Sequence, residues 1–178
     1  MGVDTAQSDA SLNTPGHLKA NIDKHYLDHK DADFSEDFSA EGSSADQQIL
    51  PDWFNKEDFL NGARSAYMML QKAWDEGNLD EIKDLTTTEV YNQIHSQFTS
   101  QPPQGATRIL QVNAELVDFQ ELEQQTEAAV MFDNLIAESD SQGNEGRAAQ
   151  VRELWHFIRD KESTAPTWYL DGIQQIEE

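Results

Sequence analysis

The chain of 178 residues contains no cysteine, and only 12 lysines and arginines stand against 34 aspartates and glutamates, a formal net charge of −22. Without cysteine there is no disulfide framework, no thiolate-ligated zinc or iron–sulfur centre and no thiol nucleophile. The shortage of positive charge argues against nucleic acid as a partner, because phosphate binding needs a basic surface that releases counterions. It argues equally against tight electrostatic docking of the chain on an anionic membrane. No apolar run approaches the roughly 18 residues of a membrane-spanning helix. No basic stretch followed by an apolar core opens the chain, so a signal peptide is not expected. The patterns GxGxxG, GxxxxGK[ST], HExxH and GxSxG are all missing. A phosphate-cradling loop and a bound cofactor are therefore not expected.

What is present divides unevenly. Residues 1–48 carry 10 acidic and 3 basic side chains, and all four tryptophans (Trp53, Trp74, Trp155 and Trp168) follow them. Large aromatic side chains supply much of a core's buried area, so the folded part is expected over 53–178. Residues 1–52 read as an acidic, largely disordered tail, Ser-rich and turn-prone over 31–46. Within that tail Leu18, Ile22 and Tyr26 recur at a spacing of four, with His25 and His29 on a neighbouring stripe. This spacing predicts a short amphipathic helix near 16–30, marginal by itself in water. No metal is assigned to either tail motif. His25 and His29 lack a third ligand, and the run from Asp31 to Asp37 has Glu36 where a calcium loop needs glycine and Gly42 where it needs glutamate.

From Asp58 the apolar period is helical through Trp74 and stops at Gly77-Asn78. A short helix fits Leu79–Leu85. Thr86 with Glu89 three residues later reads as a capping box opening a third helix, which ends before Pro102-Pro103. After Gly105 the period becomes two. Four strands are expected around Leu110–Val117, Ala128–Leu135, Leu154–Arg159 and Trp168–Ile173. Consecutive strands with short links pair as antiparallel hairpins. The expected fold class is α+β, with N-terminal helices packed on a strongly curved four-stranded antiparallel sheet. One bulge would exchange Trp155 and Phe157 for Leu154 and His156 on the concave face, so the register stays open.

Chemistry-bearing residues are few. Tyr67, Trp74, Trp155, Phe157 and Trp168 are candidate walls of a cone, with His156 as a polar group facing it. Trp53 and Phe54, beside Phe59, are either a hydrophobic lead-in to the core or an exposed docking patch. His156 with Asp133 or Asp171 is the only pairing that suggests acid–base chemistry.

The segment Phe59–Leu79, followed by Ile82-x-x-Leu85-Thr-Thr-Thr-Glu-Val-Tyr91, resembles the Tim forty-four-like family. Collinear stretches agree: Ile109–Leu116, then Glu153-Leu-Trp-His-Phe-Ile158, then Trp168-Tyr-Leu-Asp-Gly-Ile-Gln-Gln175, the last two being particularly similar to bacterial members. The family's namesake is the peripheral matrix-side subunit of the mitochondrial inner-membrane protein-import translocase. The resemblance implies a nuclear-transport-factor-two-like cone and a non-enzymatic, membrane-associated adaptor or tether that binds a protein partner. It brings no catalytic residues. It also implies a domain on the cytoplasmic side of an inner membrane, held there by an upstream anchor rather than by its own surface. Given the acidic charge, the expected partner is a basic or amphipathic protein segment. The alternatives are a small-molecule or lipid-binding cone on the same superfold and, last, an isomerase-like enzyme.

Overall fold

Asn55 starts the first helix. Its side-chain oxygen accepts the Asp58 backbone N–H at 3.0 Å, and Glu57 and Asp58 lie in the first turn, where the helix dipole favours negative charge. The computed structural model describes residues 49–163 and 167–176. The helix expected near 16–30 and most of the acidic tail lie outside them. Helix α1 spans Lys56–Glu76 and buries Leu60, Ala63, Tyr67, Leu70 and Trp74 on one stripe. It ends at Gly77, whose φ of 69° is open to glycine at little steric cost; the next N–H, of Asn78, turns back to the Ala73 carbonyl at 2.8 Å. Helices α2 (Leu79–Leu85) and α3 (Thr88–Ser100) follow.

The expected capping box does not form. Thr87, not Thr86, is the N-cap of α3, and its hydroxyl makes no cap hydrogen bond. The Thr86 hydroxyl donates to the Ile82 carbonyl at 2.8 Å, and the Thr87 hydroxyl donates to Asp171 at 3.0 Å. The Thr86 hydroxyl is taken by the last turn of α2, and the Thr87 hydroxyl by the carboxylate of a distant strand.

Strands β1 (Thr107–Glu121), β2 (Gln125–Ser139), β3 (Glu145–Asp160) and β4 (Tyr169–Gln175) pair in sequence order, every neighbour antiparallel. The sheet is curled and unclosed, and the helices pack into its concave side. The α+β, helices-then-sheet expectation is met. Three strands are longer than the alternation indicates. Residues 145–150 of β3 are all exposed and so carry no period, yet they pair with 135–139 of β2. Register shifts interrupt β1 at Leu110 and at Val117, and such bulges strengthen local twist. The first turns Ile109 toward the core cluster and leaves Leu110 exposed, where plain alternation puts Leu110 inward. At the far edge, the Thr87 N–H donates to the Leu170 carbonyl at 3.0 Å, joining the helical layer to β4.

Candidate functional site

Three tiers of aromatic rings line α1 at Phe59, Tyr67 and Trp74. Steps of eight and seven residues are close to two helical turns, so the tiers lie about 11–12 Å apart on one side of the helix. In the first tier Phe59 stands 4.9 Å from Trp168 and 5.8 Å from Phe157, and Phe54 lies 4.6 Å from Phe119. In the second, the Tyr67 ring lies 4.9 Å from both Phe132 and Trp155, which are 5.2 Å from each other. In the third, Trp74 meets Phe98 edge-on at 5.4 Å. The concave side of the sheet is thus occupied by the protein's own rings.

Trp155 and Phe157 face inward, and this settles the register. Glu153, two residues earlier on the same strand, must then point inward too, and it is 1% exposed. Its carboxylate is held from two sides: Trp155 Nε1 donates to one oxygen at 2.9 Å, and Gln175 Nε2 donates to the other at 2.9 Å. Burial pushes the Tyr67 hydroxyl far above its ordinary pKa. The negative field of Glu153 pushes the same way, and the neighbouring Asn134 side chain opposes them. Asn134 is itself buried, and its side-chain oxygen accepts the Asn113 N–H at 3.1 Å. Glu153, Gln175 and the Trp155 indole form a polar knot in the apolar cone that reading the sequence for sites missed. A signal for Glu153 was present, since a charge two positions before an inward tryptophan must share its face.

The remaining candidates are dispersed. Of the proposed walls, Tyr67, Trp74, Trp155, Phe157 and Trp168 all belong to the core or pack against it. His156 does not join them. It lies on the opposite face of the sheet, beside Leu154 and Ala129, with Nε2 at 3.3 Å from Gln174 Oε1. Asp133 is on that outer face as well, accepting from Gln150 at 2.6 Å. Its register lies four residues from that of His156, roughly 13 Å along the strands. Asp171 is buried at the β4–α3 junction under the Thr87 hydroxyl. The His156–carboxylate pairing is therefore not assembled on the concave face. Phe54 is packed among rings, whereas Trp53 is 49% exposed, donates to Glu121 at 3.3 Å and carries the Arg159 guanidinium 5.0 Å above its ring.

A second polar junction ties the end of α1 to the start of β1. Asp75 accepts the Thr107 N–H at 2.8 Å and Gln71 Nε2 at 3.0 Å. Burial raises its pKa to about 6; the charges of Glu138 and Glu76 add to the rise, and the two hydrogen bonds oppose it. Among the described residues no group of three or more His, Asp or Glu could hold a metal ion, and no helix is long and apolar enough to cross a membrane.

One family model, described as Tim44-like domain, matches residues 40–175. No curated protein matches the sequence.

Proposed function

The chain belongs to the Tim44-like domain family, and on that premise we propose that it is a non-enzymatic, membrane-associated adaptor that docks a protein partner on its outer surface. The observation that carries this reading is the filled cone. The rings of Tyr67, Phe132 and Trp155 touch one another along its axis, and Glu153 is engaged by two of the protein's own donors. Recognition is then left to the exterior. The same filling weighs against a small-molecule or lipid-binding cone.

The exterior is acidic, since the chain carries a net charge of −22. Such a surface steers a basic, amphipathic protein segment and repels nucleic acid and anionic lipid. Membrane association would come from an anchor outside this domain, with the domain on the cytoplasmic side. The test is titration of the full chain with a fluorescently labelled cationic amphipathic helical peptide. Saturable binding that weakens as salt is added is expected. No binding at low ionic strength would defeat the electrostatic form of the proposal.

A further inference from the structure

Helix α1 turns one stripe to the sheet and the opposite one to solvent. Asn61, Gly62, Ser65, Met68 and Met69 all lie exposed on the second stripe, with Met68 at 45% and Met69 at 43%. Two exposed thioethers and no acidic side chain between Asn61 and Met69 are out of character on so acidic a protein. The stripe continues into the exposed Lys72, whose ammonium lies 4.0 Å from Glu76. Gly62 is equally out of place, because glycine inside a helix costs about 1 kcal/mol relative to alanine. A Cβ built there would meet nothing within 4 Å, so no neighbour within the described residues accounts for it. A low floor at Gly62 and Ser65 beside two adaptable methionines suits the apolar side of another helix. By helical spacing Asp58 lies in line with the stripe at its N-terminal end, and Lys72, paired with Glu76, at its C-terminal end.

The chain carries a segment of matching character. All three basic residues of the first 48 (Lys19, Lys24 and Lys30) fall within 16–30, together with Asp23, Asp28 and the Leu18, Ile22 and Tyr26 repeat. Three positive charges against two negative give the segment a formal charge of +1 in an otherwise acidic stretch. The rest of residues 1–48 holds eight acidic side chains and no basic one. We propose that the Gly62–Met69 stripe of α1 is the docking site of residues 16–30 of the same chain. Leu18, Ile22 and Tyr26 cover the methionines, while the segment's lysines meet Asp58 and its aspartates, Asp23 and Asp28, meet Lys72. Residues 31–48 are long enough to allow it, since 18 residues span roughly 23 Å even as a random coil. A basic amphipathic partner would then have to displace this segment, a consequence that rests on the adaptor reading; the docking itself does not.

The chain has four methionines, Met1, Met68, Met69 and Met131, so a methionine-methyl NMR spectrum of the full chain reads the stripe directly. Met131, buried on the outer face of the sheet, serves as the control. The triple substitution Leu18→Ser, Ile22→Ser, Tyr26→Ser is expected to shift the Met68 and Met69 signals and leave Met131 in place. Unmoved Met68 and Met69 signals would overturn the proposal. So would shifts that follow protein concentration in the unsubstituted chain, which would make the occupant a second copy. Shifted methyls combined with a failed peptide titration would remove the adaptor reading and leave the docking intact.

Discussion

Glu153 and Trp155 lie two residues apart on one strand, turn to the same side, and are joined by an indole N–H donated to the carboxylate at 2.9 Å. The bond closes the polar knot inside the cone, and it makes the most apolar region of the molecule depend on an acidic side chain. A buried carboxylate left short of a donor is expensive.

Trp155→Phe keeps a ring in place and removes that donor. It is expected to destabilise the protein by about 1–3 kcal/mol. The same substitution should cost clearly less when Glu153→Gln is already present, because the buried group is then neutral. Urea unfolding of the four proteins in the cycle measures the coupling, and strictly additive effects would show that the bond is unimportant.

Asp75→Asn tests the α1–β1 junction through pH. The folded-state pKa of Asp75 is about 6 against an ordinary 3.8, so the fold prefers the protonated acid. Its contribution is full below the ordinary value and is lost as pH rises through about 6. Asparagine stays neutral and can still accept from Thr107. The variant should therefore gain stability over the parent as pH rises from about 4 to 6 and keep that gain above pH 6, about 1–2 kcal/mol once solvent screening is allowed for. Thermal unfolding across that range is the measurement, and a pH-independent difference would count against this account.

Phe54 and Trp53 are neighbours with different duties. Phe54→Ala removes a ring packed against Phe59, Phe119 and Trp168 and should cost about 2–4 kcal/mol. Trp53→Ala loses an exposed ring and its Arg159 contact, about 1 kcal/mol or less. A larger loss for Trp53 in thermal unfolding would reverse these roles.

Thr87→Val removes a donor from the buried Asp171 carboxylate while keeping the side chain's shape. A loss of about 1–3 kcal/mol is expected. Glu89→Ala, which removes the side chain a capping box would need at that position, should cost less than Thr87→Val. Chemical denaturation of both variants separates the two accounts of the α3 start.

The sequence by itself determined the element order, the antiparallel sheet and the family. Each rests on local information: a period of 3.6 through Tyr67 and Trp74, a period of two through Trp155 and Phe157, and collinear motifs. The stop of α1 was legible because Gly77 acts on its own immediate backbone. Tertiary structure alone decided which side of each strand faces the cone, because a bulge such as that at Leu110 reverses the alternation without any change in composition. It decided that His156 lies on the sheet's outer face and Glu153 inside the cone. It also gave Thr87 to Asp171, 84 residues away, where the local pattern reserved Thr86 for Glu89. What decides each of these cases is packing between elements, where burial sets the energy of the contact.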